Sequence, residues 1–451
     1  MSNFITKDFE PSTAAAWKQK IQVDLKGADY NQTLLTNTSE GIVIKPFYHS
    51  DTFEKLEIPI SSGDFKICQN IFISDEIKAN STAVESISNG VQALKFEASS
   101  PFNITQVFKN LTARNIDFHF NFGFLSETFV NELLDYLTNE TVYINLDIVG
   151  NLAKTGNWFE NSNSDFEIVK NLISKNPSKI VLGVNVNHYQ NSGANTVQQV
   201  AYALAHANEY LTKFGGQIAS KIQFNFAIGS NYFFEISKLR AFTYLYNLIV
   251  KEYGLTSVPL LFSEPSYRNK TLYDYNVNML RSTTECMSAI LGGSNTVSNI
   301  SYDALFHHSN NFGERIARNQ LLVLKEESYF KNATQITSNT YYIESITKQI
   351  AEKALDIFKD IENSGGFLYQ LKEGTIQRKI SENEAKEQSQ FDAGELVLLG
   401  TNKYPNEQDK MKNDLQKNPF PLPNPKKTLI TPILAKRLAE KLELKRLENE
   451  A

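Results

Sequence analysis

The chain has 451 residues, 41% of them hydrophobic, and its formal net charge of −5 corresponds to an isoelectric point near 5.8. This apolar content can supply a large core, and a barrel of alternating strands and helices reaches about 250 residues as a single unit. The charge balance excludes the basic surface typical of nucleic-acid-binding proteins, and it shows no asymmetry that would indicate a membrane surface.

The N-terminal segment, residues 1–65, is predicted to be an arm outside the main domain. It contains an amphipathic helix from Thr13 to Asp24, followed by loops and short strands. Trp17, Phe47 and Tyr48 add apolar area that so small a segment cannot bury by itself. We therefore expect the arm to pack on the barrel or on a second subunit.

The compartment is predicted from the cysteines and from the first residues. Cys68 and Cys286 are far apart and have no metal-binding spacing, so both are interpreted as small buried hydrophobes in a reducing environment. The start of the chain, MSNFITKDFEPST, lacks the basic and apolar regions of a signal peptide. No apolar run approaches the roughly 18 residues of a membrane span. We expect a cytoplasmic protein.

From about residue 66 the sequence alternates between short apolar runs and helical patterns, which predicts parallel strands joined by helices. Eight runs are candidate strands: 67–74, 92–98, 116–122, 141–149, 179–186, 221–228, 258–264 and 287–297. In the sixth run, Ile222, Phe224, Phe226 and Ile228 alternate with polar or small residues, and a helical pattern follows Asn231. This pattern predicts a (β/α)8 TIM barrel over residues 66–366.

Two alternatives to this strand assignment stay open. A doubly wound open sheet uses the same alternation, although no glycine-rich phosphate loop follows the first strand. One of the eight runs could also be an accessory strand, with the closing strand supplied near residues 333–336.

The chain after residue 311 is predicted to contain two long helices, the second ending at Gly365 and Gly366. Residues 367–451 are then a C-terminal extension, with one apolar strand (ELVLLGTNKY) and a proline-spaced linker (KNPFPLPNPKK). A final helix is expected from Thr431 as N-cap and Pro432 at the first position.

Candidate site residues are those that directly follow the strands, because barrel sites are built there. These are Ser99–Ser100, Gly123, Asn151, His188, Gly229–Asn231, Glu264 and Gly293–Thr296. His188 and Glu264 are the titratable members, and His188 is predicted to lie on a polar turn as a general base with Glu264 as its partner. The alternative is that His188 is an ordinary solvated loop histidine.

No metal site is expected. His307 and His308 are neighbours whose side chains point apart, with Asp303 as the only close acid before them. His119 lies within an apolar alternation and is interpreted as an interior residue.

Several separate blocks resemble the methylmalonyl-CoA mutase family. FAIGSNYFFEISKLRA (226–241) is similar to the family's barrel segment, EGIVIKPFY (40–48) to its Glu-Gly-Ile-x-x-Lys-Pro-x-Tyr, and HYQNSGA, which includes His188 and Gln190, to its His-x-Gln-x-x-Gly-Ala block. LGGSNTVSN (291–299), ERIARNQLLVLKEES (314–328), YIESIT (342–347) and GELVLLGTNKY (394–404) follow in the family's order.

The resemblance implies a barrel that encloses a radical rearrangement of a CoA thioester, started by adenosylcobalamin held against a separate cobalamin domain. The Asp-x-His-x-x-Gly motif of that domain occurs nowhere in this sequence. Asn187 stands where catalytic chains have the tyrosine of Gly-Tyr-His, and Asn295 and Ser298 replace a Gln and a His. Because such groups act together, their loss implies little residual activity.

These features predict the small, non-catalytic subunit of a heterodimeric methylmalonyl-CoA mutase, an isomerase of propionate metabolism, without the cobalamin domain. This chain would bind no cofactor, and adenosylcobalamin would lie in the large-subunit partner. No catalytic residue is expected, with His188, Gln190 and Glu264 as the remaining candidates. The alternative is an independent barrel enzyme that acts on a small acyl or carbonyl substrate through His188 and Glu264.

Overall fold

The protein is an eight-stranded parallel barrel with a small N-terminal hairpin and a helical C-terminal extension. The computed structural model describes residues 11–59, 64–333, 336–420 and 426–450. The hairpin strands are β1 (Thr36–Asn37) and β2 (Val43–Ile44). The barrel strands are β3 (Lys66–Phe72), β4 (Ala93–Ala98), β5 (Asp117–Phe122), β6 (Thr141–Leu146), β7 (Ile180–Asn185), β8 (Ile222–Ile228), β9 (Leu260–Pro265) and β10 (Thr296–Ser298).

The helices of the described residues surround this barrel and form most of the extension. They are α1 (Ala14–Asp24), α2 (Tyr30–Leu34), α3 (Glu76–Ser88), α4 (Ile104–Val107), α5 (Glu127–Tyr136), α6 (Ile148–Thr155), α7 (Ser162–Lys175), α8 (Val186–Asn191), α9 (Thr196–Phe214), α10 (Tyr232–Glu252), α11 (Val277–Leu291), α12 (Asn311–Leu322), α13 (Tyr341–Asn363), α14 (Phe367–Lys372), α15 (Thr375–Asp392) and α16 (Glu440–Glu448). No helix among them is both long enough and apolar enough to cross a bilayer.

The barrel closes through its shortest strand. β10 pairs in parallel with β3 on one side and with β9 on the other, and the remaining strands follow in sequence order. The (β/α)8 prediction is therefore confirmed, and neither the open sheet nor a closing strand near residue 333 is found. In that region, Ile336 N donates to Ala333 O in a turn, while residues 334–335 lie outside the described part.

Alternation along β8 separates the outer core from a polar interior. All seven residues of β8 are buried. Phe224 and Phe226 face outward and contact the ring of Phe242 on α10, at centroid distances of 4.6 and 5.0 Å. Gln223 and Asn225 face inward, where they bond to other side chains rather than to solvent. The period-two pattern thus marks a strand that is buried on both faces.

Three predicted elements differ from the structure. The start of the run 287–297 belongs to the end of α11, a turn follows, and the strand itself starts only at Thr296. The pattern misleads because a buried helix end and a buried strand are equally apolar. ELVLLGTNKY forms a turn with a single bridge between Leu399 and Lys403. The last helix starts at Glu440 and not after Thr431, since the amides of Ile433, Lys436 and Leu438 donate to barrel loops instead of forming a helix.

The two ends of the chain pack differently on the barrel. α16 is attached to its own chain, because Glu443 is fully buried and accepts hydrogen bonds from Leu272 N and Arg437. α1 has no buried residue, although Trp17 stacks on Phe47 with ring centroids 4.3 Å apart. The N-terminal arm therefore leaves a helix that is barely covered.

Candidate functional site at the barrel mouth

Charged side chains cross the barrel interior near the carboxyl ends of the strands. Lys95 on β4 lies 3.0 Å from Glu97 Oε1 and 3.0 Å from Glu264 Oε2 on β9. Burial lowers the pKa of Lys95, but the two carboxylates outweigh that effect and hold the pKa above its usual value. The other oxygen of Glu264 accepts a hydrogen bond from Asn187 Nδ2 at 3.0 Å. Glu264 is thus bound on both oxygens.

A chain of amide hydrogen bonds runs beside this ion cluster. His119 Nδ1 lies 2.9 Å from Gln223 Oε1, and Gln223 Nε2 donates to Asn225 Oδ1 at 2.7 Å. Asn225 donates in turn to Asn185 Oδ1 at 3.0 Å. Burial lowers the pKa of His119 to about 3, so its ring is neutral near pH 7. The prediction that His119 is an interior residue is confirmed.

Asp147, which follows β6, collects bonds from two elements, β7 and α9. Its Oδ2 accepts from the amide and the side chain of Asn185 at 2.8 and 3.0 Å, and its Oδ1 accepts from Tyr210 at 2.8 Å and lies 2.9 Å from His206 Nε2. Burial raises the pKa of Asp147, yet these partners, first of all His206, lower it overall. Sequence reasoning missed this cluster because Asp147 lay inside the predicted strand 141–149, whereas β6 ends at Leu146. The available signal was His206, which interrupts an apolar helix face.

A bulge in β6 directs Asn145 and Asp147 toward the mouth. The register between β6 and β7 shifts after Tyr143, and Asn145 adopts a left-handed conformation with φ 53°. Gly183 permits the close approach, since a Cβ there would lie 2.9 Å from Asn145 Cα. Asn145 Oδ1 is buried without a hydrogen-bond partner within the described residues.

A polar cavity of about 450 Å³ lies at the mouth. The residues that line it include Glu97, Asn121, Asn145, Asn151, Lys154 and His188, together with Ala435 from the C-terminal extension. Among the residues predicted from the strand ends, Ser99, Gly123, Asn151 and His188 meet in this cavity. Gly293–Thr296 does not, because residues 293–295 precede β10 and Thr296 is its first residue, which places this range at the opposite end of the barrel.

The three remaining catalytic candidates have separate surroundings. His188 lies on helix α8 and not on a polar turn. Burial lowers its pKa to about 4, and a hydrogen bond of its ring with the Ile433 backbone only partly offsets this. Gln190 accepts a hydrogen bond from Ser266 at 2.6 Å, and Glu264 binds Lys95 and Asn187. His188 and Glu264 share no hydrogen bond.

The neighbouring histidines His307 and His308 do not form a metal centre. His307 lies 3.0 Å from both Asp303 and Asp414, which makes it a link between the barrel and the extension. Across the described ranges, no cluster of three or more potential His, Cys, Asp or Glu ligands occurs. Cys68 and Cys286 are both free and buried.

Comparison with known proteins places this barrel in a family. The family model described as methylmalonyl-CoA mutase matches residues 139–447. The methylmalonyl-CoA mutase small subunit of Porphyromonas gingivalis is 30% identical over 447 residues, covering 88% of this chain and 71% of that protein. The chain belongs to the methylmalonyl-CoA mutase family.

Relatives within the methylmalonyl-CoA mutase family match to different extents. The small subunit of Streptomyces virginiae is 23% identical over 89% of this chain and 72% of its own length. The large subunit of P. gingivalis is 30% identical, but over only 49% of this chain and 33% of its own length. The likeness to small subunits therefore extends along nearly the whole chain.

Proposed function

We propose that this chain is the non-catalytic small subunit of a heterodimeric methylmalonyl-CoA mutase. It would support a large subunit that interconverts methylmalonyl-CoA and succinyl-CoA with adenosylcobalamin, in cytoplasmic propionate metabolism. One observation carries the proposal: the titratable groups at the barrel mouth are held by one another. Glu264 is bound on both oxygens, and Asp147 is bound by Asn185, Tyr210 and His206. Groups fixed in this way stabilise the barrel and are poorly available for proton transfer.

Adenosylcobalamin, which the family implies, does not fit the residues of this mouth. The cavity of about 450 Å³ lies in the range of pockets that hold drug-sized ligands, and a cobalamin is larger than those. His188, the histidine of the mouth cavity, lies beside the Ile433 backbone and has its Nε2 buried without a hydrogen-bond partner among the described residues, so the chain's own backbone covers the imidazole. No step is therefore derived through this cofactor in the present chain.

The relatives support a partnership. P. gingivalis has both a small and a large methylmalonyl-CoA mutase subunit, and this chain is 30% identical to each over the matched parts. The alignment with the small subunit covers much more of this chain, which favours the supporting role. An obligate interface of that kind would bury about 2,000 Å² or more.

The N-terminal helix α1 is the better candidate for reaching the partner. An isolated helix of 11 residues is marginal in water, and α1 buries none of its residues against its own chain. Trp17 is 44% exposed and Val23 is 71% exposed on this helix. By contrast, α16 is already packed on the barrel through Glu443.

Co-expression with a mutase large subunit tests the proposal. We expect a one-to-one complex in size-exclusion chromatography, turnover only when the large subunit is present, and turnover within about twofold of the native complex when His188 is replaced by Ala. An independent enzyme would instead show turnover by this chain alone, abolished by His188→Ala. That result, or failure of the two chains to associate, would contradict the proposal.

A further inference from the structure

The C-terminal segment 426–439, which we name the cap segment, lies over one side of the barrel mouth. Five of its amides donate to carbonyls that follow three different strands: Leu429 and Ile430 to Gly156, Ile433 to Ala153, Lys436 to Asn191, and Leu438 to Arg268. The carbonyls that accept from it follow β6, β7 and β9, so the segment runs over the part of the barrel rim that the neighbouring strands β6 to β9 form.

Buried side chains anchor the cap segment from below. Ile433 is only 4% exposed and belongs to the main hydrophobic core, and its backbone contacts the His188 ring. Ala435 forms part of the wall of the mouth cavity. Leu434, between them, is 62% exposed. The segment is thus buried at Ile433 and again over residues 437–439, with the exposed residues 434–436 between them, and the helix starts only after it.

Polar contacts hold the segment from the outer side as well. Arg268 Nη1 donates to Lys436 O at 2.7 Å, while its Nε donates to Glu387 on α15 at 2.6 Å. Lys436 Nζ lies 2.9 Å from Glu384 Oε1, also on α15. The cap segment is therefore clamped between the barrel loops and α15.

Gly156 allows the segment to approach so closely. A Cβ on this residue would lie 2.6 Å from Ile430 O and 2.7 Å from Thr428 Cβ, and its φ of +78° also favours glycine. The loop after β6 is therefore shaped to receive the cap segment.

We propose that residues 426–439 form an intramolecular cap over the β6–β9 side of the barrel mouth, which covers His188 and prevents a planar macrocycle from docking there. The cap lies at the carboxyl ends of the strands, which is the end of a barrel where binding sites are built. This inference depends on contacts within the chain, so it can fail or hold independently of the pairing with a large subunit.

The test uses the full chain with Ile433→Ser and, as a matched control, Leu434→Ser at the exposed neighbouring position. Peptide-level hydrogen exchange measures opening of residues 428–438, and carbethoxylation of histidines measures access to His188, with the exposed His308 as internal reference. We expect slow exchange and an unreactive His188 in the native chain and in Leu434→Ser. In Ile433→Ser we expect exchange at least about tenfold faster in the cap and modification of His188, with the α13 peptides unchanged.

Gly156→Ala gives a second way to displace the cap if Ile433→Ser does not fold. This substitution should accelerate hydrogen exchange in the same cap peptides. Hydroxocobalamin serves as the probe for docking. Its binding to the isolated native chain is measured by equilibrium dialysis. Retention of this corrinoid while the cap amides stay protected would overturn the proposal. So would native cap amides that exchange at the rate of an unstructured peptide, or a His188 that reacts as fast as His308.

Discussion

Lys95 Nζ lies 3.0 Å from Glu264 Oε2, which joins β4 to β9 across the interior of the barrel. The same ammonium group lies 3.0 Å from Glu97 Oε1, and the Lys95 side chain is only 11% exposed. One buried cation therefore pairs with two carboxylates, one on its own strand and one on β9.

Replacing Lys95 by Met should destabilise the protein by about 3–5 kcal/mol, because it leaves the largely buried Glu264 carboxylate without its cation and removes the partner of the more exposed Glu97. Urea unfolding followed by circular dichroism measures this change. Lys20→Met is the matched control. The exposed ion pair between Lys20 and Asp24 should contribute less than about 1 kcal/mol to the free energy of unfolding. Equal effects of the two substitutions would show that the interior cluster is not structural.

His307 should make stability fall as the pH rises. Burial lowers the pKa of His307, but hydrogen bonds to Asp414 and Asp303 outweigh it and raise the pKa above 6.5. A histidine whose pKa is higher in the folded state stabilises the protein fully at pH values below its unfolded-state pKa of about 6.5. This contribution is lost as the pH rises through its folded-state pKa. Unfolding free energies measured between pH 6 and 9 should therefore decline, and His307→Gln should flatten that decline.

His308→Gln serves as the control for this pH dependence, because His308 is exposed and its side chain does not bridge the two aspartates. The native slope should persist in His308→Gln. A slope that His307→Gln leaves unchanged would assign the pH dependence to other groups.

Trp17 should matter for association more than for folding. Replacing it by Ala should change the unfolding free energy of the isolated chain by less than about 1 kcal/mol, since α1 buries no residue. Affinity for a large subunit should fall at least about tenfold, because exposed aromatic side chains are typical anchors of interfaces. Tyr136→Ala is a matched control, with 42% exposure on α5 against 44% for Trp17. Surface plasmon resonance measures the affinity of each variant for the large subunit. Equal weakening by the two substitutions would contradict the assignment of α1 as the partner contact.

The sequence predicted most of the barrel because its strands carry a local signal. Runs such as 221–228 alternate with period two, and a residue that can start a helix, here Asn231, follows closely. The structure places β8 at Ile222–Ile228 followed by α10. The pattern failed for β10, whose three residues are too few to show a period next to the apolar end of α11. It failed again at Thr431, where contacts with the barrel override good helix-start chemistry.

The site was less predictable, because its contacts are distant in sequence. Lys95 and Glu264 are 169 positions apart, and no local pattern indicates that they pair. A usable signal did exist, since Lys95 and Glu97 are charged residues within a predicted buried strand and must therefore find partners. The partners themselves, like the contact between Ile433 and His188, follow only from barrel closure and from the path of the extension.

The most direct measurement is corrinoid content in the isolated chain and in its complex with a mutase large subunit, determined by absorbance after removal of free adenosylcobalamin. The account predicts no retained corrinoid on the isolated chain and one equivalent per heterodimer. Tight, stoichiometric corrinoid on this chain alone would contradict it.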